Sequence, residues 1–273
     1  MSGVADDAVS HRDLPVPVQW SMHHARYLRL HSDALGRRVH LWTYGHWGPP
    51  VIAFPTAAGM AHEWDTAGAI DALRPLLDAG ALKLYCPESE ACRSWTAQDR
   101  SVASRLAQHA AYERFIRDEL TAFIEADCRM PGARVGLAGA SLGATYAALF
   151  ALKTPERFPW ALCLSGRYRT TPMLGGGGGD DAYFNDPLAF VPNLSGEALA
   201  RVRHGTHITL VVGQGPHENR CIPETLALGR ALRQRGIPHT LDIWGPDVSH
   251  EWRWWRRQLQ HHLGAALKRR RAS

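Results

Sequence analysis

Short runs in which every second position is apolar alternate along this chain with longer stretches whose apolar positions recur with a helical period. Arg26–Leu30 and Val39–Tyr44 carry the period of two expected of half-buried strands, and Ala34-Leu35-Gly36-Arg37 between them predicts a turn. Together they read as an antiparallel hairpin at a sheet edge. Val51-Ile52-Ala53-Phe54 is apolar throughout and stops at Pro55, the pattern of a strand buried on both faces. A helix over roughly Asp65–Leu77, a strand at Leu82–Tyr85 and a long helix over Gln108–Asp127 follow. Arg134–Ala138, Ala161–Leu164, His207–Val212 and Thr240–Trp244 supply four more strand-like runs. Strands separated by helices imply parallel pairing with right-handed crossovers. The expected architecture is α/β: an eight-stranded, mostly parallel sheet with an antiparallel edge hairpin and helices on both faces.

Two stretches depart from this rhythm. Residues 1–18 read as a loose polar extension, and no proline-, serine- or charge-rich linker divides 19–273, which is read as one domain. Between Ser165 and Gly205 the periodicity stops. That segment carries five consecutive glycines, Gly175 to Gly179, then Asp180-Asp181 and Tyr183-Phe184-Asn185-Asp186-Pro187. The polyglycine has neither the lysine nor the preceding strand of a phosphate-binding loop, so it predicts a flexible surface loop. Residues 166–206 are either a lid or pocket-rim insertion or a plain surface insertion.

The chemistry concentrates at Gly139-Ala140-Ser141-Leu142-Gly143, which follows an apolar strand and opens a helix-forming stretch from Ala144 to Thr154. In that setting the G-x-S-x-G pattern is a nucleophile elbow. A sharp turn exposes the serine Oγ, and a side chain at either glycine would strike the neighbouring strand or helix. The helix N-terminus then faces the position where an oxyanion would form. Partners follow in the chain order nucleophile, acid, histidine. Gly213 to Asn219, with Glu218, lies past one strand; Gly245 to Trp252, with His250, lies past the next. In an open parallel sheet the carboxyl ends of the strands form the ligand crevice. Ser141, Glu218 and His250 are therefore the candidate catalytic residues, with Asp247 the alternative acid and Asp242 disfavoured because it points out of a strand. The candidate oxyanion donors are the backbone N–H groups of Leu142 and Ala57, with Thr56 or Ala58 as alternatives in the same small-residue loop.

Bulk properties narrow the remaining classes. With 273 residues and 45% hydrophobic content, the chain can build a large core. Much of the net charge of +5 sits in Lys268-Arg269-Arg270-Arg271, read as a solvated helix end whose cations suit the helix dipole. No nucleic-acid motif accompanies it. Five cysteines without a C-x-x-C pair predict free thiols in a reducing compartment. No signal-peptide pattern opens the chain and no apolar run approaches the ~20 residues of a membrane span, so the cytoplasm is the expected location. His62-Glu63 and His250-Glu251 lack the second histidine of H-E-x-x-H, and the adjacent pairs His23-His24 and His261-His262 do not share a helical face. No metal site and no cofactor are expected. Ten tryptophans are unusual, and most read as core or pocket walls.

The chain resembles the esterases of the esterase D type within the α/β-hydrolase superfamily, a group that includes S-formylglutathione hydrolases, feruloyl esterases and mycolyltransferases. The resemblance runs from about Ala25 to Leu263. It rests on Gly139-Ala140-Ser141-Leu142-Gly143, on Tyr183-Phe184-Asn185-Asp186-Pro187 with Pro192-Asn193-Leu194, and on Gly236-Ile237-Pro238-His239 leading to His250-Glu251-Trp252. It implies the α/β-hydrolase fold, Ser141 as nucleophile, His250 as general base and a small-molecule acyl ester as substrate. Two departures stand out. The family usually shows His-Gly after the third strand, where this chain has Thr56-Ala57. Its acid position often carries aspartate and falls here at Asn219, so Glu218 would substitute from one residue away. The expected activity is that of a serine carboxylesterase or thioesterase. An acyltransferase would use the same site, and a non-catalytic hydrolase-fold binding protein is the reading from a different class. Oligomeric state is left open.

Overall fold

Eight strands form one sheet: β1 (Arg26–Ser32), β2 (Arg37–Tyr44), β3 (Pro50–Phe54), β4 (Lys83–Pro87), β5 (Gly136–Ala140), β6 (Trp160–Leu164), β7 (His207–Val212) and β8 (His239–Ile243). Their spatial order is β1-β2-β4-β3-β5-β6-β7-β8. The β1–β2 hairpin is antiparallel, β2 joins β4 antiparallel, and every later pair is parallel. This computed structural model describes residues 24–57 and 59–272, with side chains as far as 265. The extension expected at 1–18, the side chains of the basic run 268–271 and Ala58 lie outside the described residues.

Alternation along the central strands builds a core on each side of the sheet. Ile52, Phe54, Leu137, Ala161, Cys163, Ile208 and Leu210 face one cluster; Val51, Ala53, Ala138, Ala140, Leu162, Leu164 and Val211 face the other. The first is closed by the helices Val102–Arg114, Leu142–Lys153 and Cys221–Gln234, the second by Ala69–Asp78 and Trp252–Ala272. Residues Leu142 to Leu152 are all buried, so the helix after Ser141 is apolar on every side and sits inside the molecule. Leu142, Leu149, Phe150 and Leu152 each contribute about 1.5–3 kcal/mol when removed from water, and this anchors the helix at whose first turn the candidate nucleophile stands.

Three expectations change. The helix expected over Asp65–Leu77 is two, Glu63–Thr66 and Ala69–Asp78, separated at Gly68, whose φ of 73° ends one helix before the next begins. The helix expected over Gln108–Asp127 starts earlier, at Val102, because the Ser101 Oγ accepts the Ser104 N–H at 3.2 Å and caps it. It runs through a π-helical turn, Phe115–Leu120, into Thr121–Cys128. The aperiodic stretch after β6 is built of short helical turns, Thr171–Leu174, Gly179–Tyr183, Pro187–Phe190 and Val191–Asn193, followed by Gly196–Gly205. The first four turns are too short to show a period, and the longer helix Gly196–Gly205 buries Val202 alone, so it carries no apolar stripe. Gly175 to Gly178 take φ between 78° and 95°, a left-handed run that favours glycine, and it links two of these turns.

Buried polar contacts tie that stretch to the body. The Arg105 guanidinium donates to the carbonyls of Ser94 at 2.8 Å and Met173 at 2.6 Å. The His109 Nε2 lies 3.1 Å from the Asn185 Oδ1, and Lys153 donates to the same oxygen at 3.0 Å. Burial, and then the Lys153 charge, push His109 down to about 3 against the opposing Asn185 hydrogen bond, so this histidine stays neutral and is a packing residue.

Candidate active site

Ser141 sits between β5 and the helix Leu142–Lys153 with φ 55° and ψ −123°, a conformation that costs of order 1–3 kcal/mol and persists only where the surroundings impose it. The surroundings are the two glycines. A Cβ on Gly139 would overlap the Gly143 carbonyl, and one on Gly143 would come 2.5 Å from the Pro55 oxygen. The Ser141 N–H donates to the Leu164 carbonyl at 2.9 Å and ties the turn to β6.

The two partner loops are packed on one another. Gly213 and Gly215 abut the Val248 backbone, where a Cβ on either would overlap, and the Gly215 N–H donates to the Val248 carbonyl at 2.8 Å. The His250 N–H donates to the Pro216 carbonyl at 3.0 Å. Glu218 is pinned by its own backbone, since its carbonyl accepts the first two N–H groups of the helix Cys221–Gln234 at 2.8 and 2.9 Å. In this frame the His250 Nε2 lies 3.0 Å from the Ser141 Oγ, and the His250 Nδ1 lies 3.4 Å from the Glu218 Oε2. The second distance exceeds the 2.7–2.9 Å of a strong charge-assisted bond; such contacts commonly tighten when substrate binds.

Glu218 is fully buried, and its other oxygen accepts a short hydrogen bond from the Ser165 Oγ. Ser165 in turn accepts the Trp255 indole N–H at 3.1 Å. An indole N–H only donates and a carboxylate only accepts, so the Ser165 hydroxyl has one orientation available. The Trp255 ring also stands edge-on to the His250 ring at 4.8 Å, and continues through Trp252 to the buried Trp64. The Cys221 Sγ is 3.8 Å from the His250 Nδ1. Burial, with the Glu218 charge next in importance, pushes that thiol up to about 12, so it is a neutral neighbour and not a nucleophile.

The loop after β3 separates the oxyanion candidates. The Thr56 N–H and Oγ1 both donate to the Glu63 carboxylate, at 2.7 and 2.6 Å, so Thr56 is committed elsewhere. Ala57 is held from its carbonyl side by the Ser89 Oγ at 3.1 Å, and among the described residues no acceptor takes its N–H. The same holds for the N–H of Leu142, first residue of the elbow helix.

Comparison with known proteins gives the family and the fold. The family model described as "Putative esterase" matches residues 87–266, about two thirds of the chain. The chain belongs to this esterase family. Solved structures share the fold. An S-formylglutathione hydrolase from Agrobacterium tumefaciens is 17% identical with a TM-score of 0.73, the alignment covering 90% of this chain and 95% of that one. A ferulic acid esterase is 15% identical with a TM-score of 0.72, covering 90% and 99%. The fluorophosphonate-binding serine hydrolase F of Staphylococcus aureus is 16% identical with a TM-score of 0.66, covering 90% and 98%. A sequence comparison with curated proteins finds no match.

Among the described residues the other acid candidates of this esterase make no hydrogen bond or ion pair with the His250 ring. Asp247 and Asn219 are exposed. The Asp242 Oδ2 accepts from the Trp244 indole at 2.8 Å and lies 3.0 Å from the His262 Nε2. Among the described residues, Glu218 is the carboxylate recorded against the His250 Nδ1. Ser165, Cys221 and Trp255 were not legible as site residues. The available signal was that Ser165 ends the β6 run, since polar residues at strand ends line the crevice.

Proposed function

We propose that this esterase is a serine hydrolase that cleaves a small-molecule carboxylic ester or thioester through an acyl-enzyme on Ser141. The observation that carries the reading is the strained Ser141 with its Oγ 3.0 Å from the His250 Nε2. His250 takes the Ser141 proton as Oγ attacks the acyl carbonyl, and Glu218 stabilises the imidazolium and holds the ring tautomer. The developing oxyanion is met by the N–H groups of Leu142 and Ala57. The proton returns to the leaving group, and water activated by the same histidine releases the acid. No cofactor enters this cycle. Residues 166–206 form the rim of the acyl pocket in this reading. A reducing, cytoplasmic setting suits five cysteines that are all free. Among the described residues no helix is long and apolar enough to cross a membrane.

A fluorophosphonate probe tests the mechanism. The expected result is one adduct, on Ser141, lost in Ser141→Ala together with turnover of a short-chain nitrophenyl ester. Labelling at another residue, or turnover that survives Ser141→Ala, overturns the reading. Adding alcohols to the same assay separates hydrolysis from acyl transfer, which would yield the exchanged ester.

A further inference from the structure

The buried thiol beside the candidate base has no part in the proposed cycle, yet it is one of three different metal-ligating groups meeting at one point. The Glu218 carboxylate, the Cys221 Sγ and a His250 nitrogen all lie within 4.8 Å of one another. The separations match a single ion. Typical zinc bond lengths to sulfur, imidazole and carboxylate, set at tetrahedral angles, place S and N about 3.5 Å apart and N and O about 3.3 Å apart. The structure has 3.8 Å from Cys221 Sγ to His250 Nδ1 and 3.4 Å from that nitrogen to Glu218 Oε2. Three protein ligands with a fourth position open to water is a common zinc arrangement. Glu218 and Cys221 are buried, and His250, whose side chain is 20% exposed, is the side from which an ion can enter.

We propose that Glu218, Cys221 and His250 form an inhibitory site for a soft or borderline divalent cation such as Zn²⁺ or Cd²⁺. The inhibition rests on the reading of His250 as general base; the site itself does not. On binding, the cation forms bonds to the Cys221 sulfur, the His250 Nδ1 and a Glu218 oxygen. The thiol proton leaves to solvent, and the proton that Nδ1 carried moves to Nε2. The neutral imidazole then presents an N–H to the Ser141 Oγ where it had presented a lone pair. The ring need not move for the serine to lose its base. The site therefore couples turnover to the free concentration of a thiophilic metal.

Cadmium binding can be followed without turnover, through the ultraviolet charge-transfer absorption of a cadmium–thiolate bond. The exposed Cys92 is removed from all proteins compared, as Cys92→Ser, so that it does not contribute. We expect one equivalent of Cd²⁺ to produce a saturable absorption that is absent in Cys221→Ser and weakened at least tenfold in His250→Gln. In parallel, Zn²⁺ inhibits nitrophenyl ester hydrolysis, chelation by EDTA restores it, and Cys221→Ser raises the inhibition constant at least tenfold relative to its own metal-free rate. An absorption that survives Cys221→Ser, or zinc inhibition of equal strength in that variant, overturns the proposal. Cys221-dependent absorption in a protein without ester turnover supports the site while the hydrolase reading fails. Turnover without Cys221-dependent absorption does the reverse.

Discussion

Two carboxylates at opposite ends of the sheet are treated in opposite ways. Asp127, near the start of β4, accepts hydrogen bonds from Arg26, from Lys83 at 2.7 Å and from Tyr85 at 2.7 Å. Burial alone would raise its pKa, but these three donors hold it down to about 2. Glu218, past the end of β7, is wholly buried, and among the described residues no lysine or arginine pairs with it; its partners are a hydroxyl, a neutral thiol and an imidazole 3.4 Å away. The first carboxylate is taken up by two cations and a phenol and holds strands and helix together. The second keeps capacity for a charge that appears only when His250 takes a proton. A cavity of about 410 Å³, lined in part by Lys83, Asp127 and Trp47, opens at the saturated end and contains none of the candidate catalytic residues.

The contrast breaks most visibly at Glu218. Glu218→Gln should keep the fold and cut kcat by roughly two to four orders of magnitude with little change in KM, because glutamine cannot offset the imidazolium charge. Asp247→Asn should stay within a few-fold of the parent in the same steady-state assay. The opposite pattern would move the acid to the loop before His250.

Ser165→Ala sharpens the comparison on the same side. It removes one donor to the Glu218 carboxylate and should lower kcat by about tenfold, the share of a charge-assisted hydrogen bond that reaches the transition state. Trp255→Phe, which keeps the ring against His250 but loses the indole N–H, should cost less. A merely structural role would instead show as a fall in Tm with kcat preserved.

At the other end, Asp127→Asn should leave kcat within twofold while lowering stability by about 2 kcal/mol, since it leaves Lys83 without its carboxylate partner. Denaturant unfolding measures it. The smallest effect is on pH. Asp127 has a folded-state pKa below its unfolded value, so its contribution is complete above about pH 4 and fades as the pH falls through about 2. The Asp127→Asn protein should lack that part of the acid loss, and coincident curves for the two proteins between pH 4 and pH 2 would show that Asp127 is not locked as described.

Much of the fold was legible because its signals are local. All eight strands, the edge hairpin and the strand–turn–helix around Ser141 lie where alternation, apolar runs and G-x-S-x-G predict them, with ends displaced by a few residues. What failed locally had competing local causes: a left-handed glycine that cut one helix, a serine cap that began another early, and helical turns after β6 too short to carry a period. The candidate site was legible as residues that meet. Chain order picked out Ser141 and His250, and the need for a carboxylate in the loop after β7 picked out Glu218 beside Asn219; the three side chains lie together.

Residue types and chain order were enough to determine an α/β sheet, a serine at a turn that only glycines permit, and a histidine past the last strand. Those are properties of backbone conformation and short-range sterics, written in neighbouring residues. Only the tertiary structure decided that Glu218 faces His250 while Asn219 faces solvent, that Glu63 occupies Thr56 while no acceptor among the described residues takes the Ala57 N–H, and that Ser165, Trp255 and Cys221 surround the carboxylate. Apart from the Thr56–Glu63 contact, which spans seven residues, these depend on which loops the sheet order brings together across 29 to 90 residues of chain, and on the direction in which a buried side chain can find a partner. Neither is encoded in any local window of the sequence.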